Sequence, residues 1–316
     1  MMELHWVDPP TALYVLVDPL CGEPVLGIDS SNQDLTAQRE QVWERQVIPV
    51  PLARTIALPP RLHPYLLKLQ GLEDPLLALT MGLAQEERLA AQLDGFDGAG
   101  GAAHAIGGWL QTGMGVNDVG EALSTMCRVN TDAPTRATYL RLADRRVLDL
   151  LCHVAGEDRV AGQFGRIQCW HYLTPMGALR SLRAPHGDGH ALRLRRPEFQ
   201  RVLRSEKLHR TVSTCLGAQA GLDQPVVRID YDTVEAAVIA AELAAAKWPH
   251  RFCTGHDEIT WAALSLTHRS LLQHAAVHAL LADTGSQEEP PEPVRYLHGE
   301  LRALAERSQA GAASVR

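Results

Sequence analysis

The chain has 316 residues, of which 46% are hydrophobic, 21% charged and 5% aromatic. This composition is typical of a soluble globular protein with one large domain or two smaller ones. The formal net charge of −7 argues against a generic nucleic-acid binder, because such proteins carry an excess of positive charge.

The sequence also predicts a protein that neither enters nor crosses a membrane. The first ten residues, MMELHWVDPP, lack the basic and apolar regions of a secretory signal peptide. Uncharged apolar runs never reach the length of a transmembrane helix. The cysteines are scattered without a C-x-x-C pair, which predicts reduced core thiols and a cytoplasmic location. They are Cys21, Cys127, Cys152, Cys169, Cys215 and Cys253.

Residues 1–195 predict an α/β (α+β) lobe with a mixed sheet. The apolar run LYVLVD at 13–18 predicts a buried strand, which Asp18 and Pro19 close with a turn. Further elements are expected in chain order: a helix at 34–46, extended pieces at 55–60 and 63–70, and a helix at 75–93.

Alternating short strands and helices follow between residues 108 and 173. Strands are predicted at 108–113, 138–143 and 167–173, and helices at 117–129 and 144–155. Asn117 and Asp144 are the expected N-caps, since short polar side chains can accept hydrogen bonds from the first helical amides. This alternation with short connections is typical of an α/β architecture.

Residues 196–316 predict an all-helical lobe. Helical periodicity is expected within 196–216, 231–248, 256–281 and 293–308. An exposed linker, SQEEPPEP, lies at 286–293. The sequence therefore predicts two domains, with a boundary between residues 195 and 196.

Candidate chemical sites are weak, and we predict no catalytic residue, no cofactor and no metal. GAGGAA at 98–103 lacks the preceding strand that a dinucleotide loop requires. His274 and His278 have metal-ligand spacing on a predicted helix, and His186 and His190 lie in the loop HGDGH. These histidines carry the alternative hypothesis of a metal-dependent enzyme of unknown reaction.

Residues 180–210 carry nine basic and three acidic side chains, the strongest local charge in the chain. Such a surface would attract an acidic protein partner through charge steering and arginine–carboxylate contacts. Nucleic acid is the weaker interpretation, because few aromatic residues alternate with the arginines. The candidate partner-binding arginines are Arg180, Arg183, Arg193, Arg195, Arg196, Arg201 and Arg204.

Four short motifs occur in a characteristic order: LYVLVD, then GGWLQTG, then TYLRLADRRVLDLL, then FGRIQCWHYL. In this order they resemble the type VI secretion effector chaperones, also called Tap or TEC adaptors. The resemblance spans about residues 12–175. Its matching residues are Leu13, Tyr14, Asp18, Gly108, Trp109, Leu140, Arg141, Asp144, Arg146, Val147, Leu148, Gly165 and Trp170.

The resemblance implies a non-enzymatic adaptor that binds the N-terminal region of a cognate secreted effector. Members of that family help to load the effector onto the VgrG spike, often through a PAAR-containing tip. Asp18, Arg141 and Asp144 would then be structural, with Asp144 capping a helix and Arg141 pairing with a carboxylate. Trp109 and Trp170 would form core or cleft walls that could contact the partner.

Overall fold

The computed structural model describes residues 12–29, 34–52, 56, 58–93, 104–131, 138–185, 189–219, 229–268, 274–285 and 291–313. The chain divides into two compact units. The first unit comprises Met1–Ala90 and Ala102–Ser205, and the second comprises Ala91–Gly101 and Glu206–Arg316. None of the described helices is long and apolar enough to span a bilayer.

A six-stranded antiparallel sheet organises the first unit, with the strand order β2-β3-β1-β4-β7-β8. The predicted fold class is confirmed, with mixed pairing confined to a second, three-stranded sheet of order β6-β5-β9. The strands are β1 (Ala12–Val17), β2 (Val47–Pro49), β3 (Tyr65–Leu69), β4 (Ile106–Thr112), β5 (Arg128–Thr131), β6 (Thr138–Tyr139), β7 (Ile167–Leu173), β8 (Leu179–Arg183) and β9 (Arg193–Leu194).

Helices cover both faces of the large sheet, so its strands are apolar on both sides. The helices of this unit are α1 (Leu35–Trp43), α2 (Pro75–Leu93), α3 (Val116–Met126), α4 (Arg145–Ala155), α5 (Glu157–Ala161) and α6 (Arg196–Leu203), with 3-10 turns at Pro19–Cys21 and Pro60–Leu62. Val15 and Trp109 pack with Leu77 of α2 on one face. Leu110 and Trp170 belong to the cluster on the opposite face, which includes α3 and α4.

The two edges of the large sheet differ in their backbone groups. At β2, the hydrogen bond from Val50 N to Pro64 O shows which residues direct their backbone polar groups towards β3. The backbone polar groups of Val47 and Pro49 therefore point away from β3. The Val47 amide donates to Glu40 Oε1 at 3.1 Å, and Pro49 has no amide hydrogen. Neither outward-facing residue of β2 therefore offers a donor to another strand.

At the opposite edge, no strand of the described part of the chain pairs with the outer side of β8. Ala184 N donates to Gln168 O at 2.9 Å, which fixes the alternation along the β7–β8 ladder. Leu179 and Ser181 consequently direct their backbone N–H and C=O groups away from β7. Ser181 is exposed, and Leu179 is partly so.

The segment 138–143 differs from the predicted strand. Only Thr138 and Tyr139 pair, forming β6, and the chain then turns before α4. Asp144 N donates to Arg141 O at 2.9 Å within this turn. Leu142 is nevertheless fully buried, so the apolar residues that suggested a strand fill the core from a turn.

The second unit is helical. Its helices are α7 (Ser205–Gln219), α8 (Tyr231–Lys247), α9 (Gly255–Thr267), α10 (Ala275–Ala282) and α11 (Val294–Ala313). Asp257 connects the starts of two of them: its Oδ2 accepts from the amide of Thr254, the N-cap of α9, at 2.8 Å and from Arg295 Nη1 of α11 at 2.9 Å. The helix α6, which we expected in the helical lobe, instead packs against α4 in the first unit.

Candidate partner-binding surface

Asp18 anchors the end of β1 to a distant part of the chain. Its Oδ2 accepts from Arg141 Nε at 2.8 Å, and its Oδ1 accepts from Leu20 N at 3.1 Å. Burial raises the pKa of Asp18, while the Arg141 charge and hydrogen bond oppose that rise. Arg141 thus pairs with a carboxylate beside the sheet, and the carboxylate also begins the 3-10 turn after β1.

Asp144 completes this motif and begins α4. Its Oδ1 accepts from Arg146 N at 3.0 Å, which confirms the predicted N-cap. Asp144 Oδ2 accepts a hydrogen bond from Arg146 Nη2 at 2.8 Å and lies 3.8 Å from Arg141 Nη1. Asp18, Arg141 and Asp144 therefore form one partly buried ionic cluster.

A second ion pair lies beside this cluster, and no sequence pattern predicted it. Arg145 is 1% exposed and lies 3.3 Å from Glu87 Oε2 of α2. Its guanidinium donates to the carbonyls of Ala84 and Ile106 at 2.7 and 3.2 Å. Burial raises the pKa of Glu87 to about 7 and lowers the pKa of Arg145 to about 10. Nothing in the DRR sequence distinguishes buried Arg145 from the more exposed Arg146.

Trp109 and Trp170 are core residues, so we correct their assignment as partner-binding residues. They lie on neighbouring strands, but Trp170 pairs with Leu110, so the two indoles occupy opposite faces. Both are essentially unexposed. Trp109 Nε1 donates to Thr80 Oγ1 at 3.0 Å, and Trp170 Nε1 donates to Gly107 O at 3.3 Å.

The glycines that precede Trp109 allow this close packing. Gly108 has φ 135°, and a Cβ there would lie 2.3 Å from His171 O and 2.7 Å from Trp170 Nε1. A Cβ on Gly107 would lie 2.3 Å from Ala143 O. Any side chain at either position would collide with backbone atoms, which explains the GGW sequence physically.

The seven candidate arginines all lie in the first unit, on β8, β9 and α6 and at the ends of α6. Together with the segments that carry them, they define what we call the arginine surface. Arg183, Arg193, Arg195 and Arg196 are exposed, while Arg201 and Arg204 are partly buried. Arg180 is exposed at its side chain but belongs to an ion pair.

Carboxylates neutralise part of the arginine surface. Arg180 Nη1 lies 3.0 Å from Glu157 Oε1 and 3.8 Å from Asp149 Oδ1. Glu198 of α6 binds Arg159 at 2.7 Å, which lowers the Glu198 pKa. Arg196 forms no ion pair with another residue that the structure describes. Arg195 and Arg196 are thus two adjacent exposed arginines at the start of α6.

The structure describes three of the four histidines on which the metal-site hypothesis rested. His190 is exposed, and His186 lies outside the described residues. His274 is the N-cap of α10 and not part of a helix, because the predicted helix over 256–281 ends at Thr267 and a new one begins at Ala275. His278 packs against Trp248, with 5.6 Å between ring centroids. Among the described residues, no three His, Cys, Asp or Glu side chains form a metal-binding group.

One cysteine–histidine contact occurs on β7 and does not activate the thiol. Cys169 Sγ lies 3.9 Å from His171 Nδ1, and both residues are unexposed. Burial raises the Cys169 pKa to about 11 and lowers the His171 pKa to about 4. A neutral thiol beside a neutral imidazole is not the activated pair that nucleophilic catalysis uses.

No family model, curated protein or solved structure matches the chain. Proposals about its function therefore depend on the residues described above.

Proposed function

We propose that this chain is a non-enzymatic chaperone or adaptor that acts in the cytoplasm. In this proposal it binds the N-terminal region of a cognate type VI secretion effector and helps to load it onto the VgrG or PAAR spike components. Its contribution would be binding alone, through exposed surface on the first unit.

The observation that carries this proposal is the convergence of the motif residues. Asp18 and Arg141 come from separate motifs and meet in one ion pair, and Asp144 lies beside them. All three fix backbone: Asp18 starts a turn, Asp144 starts α4, and Arg141 connects them. Residues that determine a fold in this way are expected to recur in a family whose members share a scaffold and differ in their partners.

The arginine surface supports a protein partner. Two adjacent exposed arginines, Arg195 and Arg196, lie at the start of α6, and the edge strand β8 lies in the same unit. A strand edge with outward amides can bind an extended segment, while exposed arginines select for acidic residues in it. The surface therefore suits a partly unfolded acidic segment better than a folded neutral surface.

Co-purification with the toxin encoded next to this chain tests the proposal. We expect the untagged toxin to be retained by the tagged chain, and to become insoluble or unsecreted when the chain is deleted. A toxin that stays soluble and is secreted normally without the chain would contradict the proposal.

Charge reversal tests whether the arginine surface is the part that binds. The double variant Arg195→Glu, Arg196→Glu should reduce toxin retention without lowering the melting temperature. Lys68→Glu is the matched control, since Lys68 is an exposed cation of the same unit that lies on β3. Equal retention by the wild type and both variants would remove the arginine surface from the proposal while leaving the co-purification result intact.

A further inference from the structure

The segment after β1 forms a groove with the 3-10 turn at Pro60–Leu62. Its volume is about 400 Å³, within the range of small-ligand and side-chain pockets. Aliphatic side chains and two charged residues line it: Leu20, Val25, Leu26, Leu62, Glu23 and Arg61. None of these residues belongs to the arginine surface or to the ionic cluster.

The loop that forms one wall, Gly22–Asp29, is held at several points. Gln38 of α1 holds it twice, with Nε2 donating to Gly27 O at 2.9 Å and Oε1 accepting from Asp29 N at 3.1 Å. Val25 and Ile28 pack against the core beneath. The wall of the groove is therefore formed before any ligand arrives.

A buried polar network supports the floor. Glu23 Oε1 accepts from Arg39 Nε at 2.9 Å, and Glu23 Oε2 accepts from Tyr65 Oη at 2.8 Å. Trp43 Nε1 donates to the same hydroxyl at 3.1 Å. Arg39 also donates to Arg61 O at 2.8 Å, which joins the two sides of the groove. The charge of Glu23 is satisfied inside the protein and is not offered to a ligand.

Leu26 projects from this anchored loop into solvent and is 97% exposed, the highest value among the large hydrophobic side chains that the structure describes. Val25 and Ile28 on either side are partly buried, so the conformation of the loop exposes the Leu26 side chain while it partly buries theirs. An apolar side chain held in water by a pre-formed loop is typical of an anchor that a partner buries.

Arg61 supplies the polar specificity of the groove. Its side chain is exposed, and no carboxylate of the described residues pairs with it, while its carbonyl is held by Arg39. The backbone of Arg61 is therefore fixed and its guanidinium remains available. A carboxylate is the group that a guanidinium binds best, through two parallel hydrogen bonds.

We propose that this groove is a docking site for an extended peptide segment of a partner protein, in which an acidic residue is flanked by bulky aliphatic residues. The acidic residue binds Arg61, and the aliphatic side chains pack on Leu26 and Leu62. This site goes beyond the proposed adaptor function and does not depend on it, because it lies apart from the arginine surface.

Fluorescence anisotropy with a labelled peptide, GSLDLSG, tests the site on the full-length chain. GSLNLSG and GSLKLSG are the matched probes, because they keep the aliphatic residues and change only the charge. We expect saturable binding of GSLDLSG, with GSLNLSG and GSLKLSG at least roughly tenfold weaker, since a charge-assisted contact would be lost. Absence of saturation up to millimolar chain, or equal binding of all three peptides, would overturn the proposal.

Two substitutions locate the peptide on the protein. Arg61→Ala should abolish the preference for GSLDLSG over GSLNLSG, and Leu26→Ser should weaken both peptides equally. Arg128→Ala and Leu72→Ser are the controls, because each removes an exposed side chain of the same type elsewhere in the first unit. If the control variants weakened peptide binding as much as the groove variants do, the peptide would bind elsewhere and the proposal would be overturned.

Discussion

Asp18 at the end of β1 and Arg141 in the turn before α4 are 123 positions apart and form an ion pair of 2.8 Å. Asp18 is 1% exposed, so a neutral residue at position 141 would leave a buried charge without its cation. We expect Arg141→Ala to destabilise the first unit by on the order of 2 to 3 kcal/mol in urea unfolding.

A double-mutant cycle separates the pair from its surroundings. Asp18→Asn and Arg141→Ala together should cost less than the sum of the two single changes, with a coupling of about 1 kcal/mol or more. Additive effects would mean that the two side chains are held independently and that the ion pair contributes little.

The glycine before Trp109 gives a second prediction. Gly108→Ala places a Cβ 2.3 Å from His171 O at a positive φ, so β4 and β7 would have to separate. We expect a loss of at least about 3 kcal/mol, or failure to fold, because strain and lost core packing add. Gly113→Ala is the control: nothing lies within 4 Å of its Cβ, and its melting temperature should stay close to that of the wild type.

His171 should make the first unit sensitive to acid. Its folded pKa of about 4 lies below its ordinary value of 6.5, because burial disfavours the charged ring. Its stabilising contribution is therefore complete above pH 6.5 and is lost as the pH falls towards 4, by about 3 kcal/mol in total. The His171→Gln variant lacks this titration, so the stability of the variant relative to the wild type should rise as the pH falls from 6.5 to 4.5.

Glu87 should affect the stability of the protein in the opposite direction to His171, over nearly the same pH interval. Its folded pKa of about 7 lies above its ordinary value of 4.5, so its contribution is present below pH 4.5 and lost as the pH rises through 7. Glu87→Gln should therefore lose stability relative to the wild type on acidification. Denaturant titrations at pH 4.5, 5.5 and 6.5 measure both slopes; parallel profiles of the wild type and either variant would contradict the corresponding shift.

Thiol labelling gives a prediction that separates the cysteines. Cys253 is exposed, whereas Cys127, Cys152, Cys169 and Cys215 are buried. Burial raises the pKa of these four thiols to between about 11 and 12. N-ethylmaleimide should modify Cys253 in the native protein and the four buried thiols only after unfolding. Peptide mass spectrometry identifies the modified cysteines. Modification of any of the four buried thiols in the native protein would contradict the prediction.

The apolar patterns and caps were sufficient to predict the fold class and several of its strands and helices, but not the short strands β2, β5, β8 and β9. The runs LYVLVD and IQCWHYL became strands, and Asp144 became a cap, because periodicity and capping are local effects. The turn at 140–144 was missed because its leucines are buried by tertiary packing, which can place the same alternation in a turn. The cap of α3 is Gly115 and not Asn117, a shift of two residues within helix-boundary error.

The candidate sites were harder to predict because they depend on distant partners. The five cysteines whose side chains the structure describes are free; four of them lie in the core as predicted, but Cys253 is exposed. Arg145 and Arg146 are neighbours in sequence, and only the approach of Glu87 from α2 makes one of them a core residue. Trp109 and Trp170 were grouped from their similar motifs, whereas the sheet register separates them to opposite faces. Leu26 carries no sequence signal, since its exposure follows from how Gln38 and Glu23 hold the loop.

The blocked edge at β2 limits how copies of this protein could associate. An open-ended fibre of sheets joined side by side requires two receptive borders on every molecule, one for each neighbour. In the large sheet, Glu40 and Pro49 leave β2 without an amide donor, so pairing between the large sheets of two copies would stop at two molecules joined through β8. The large sheet can therefore offer one receptive strand to a partner without supporting an open-ended fibre.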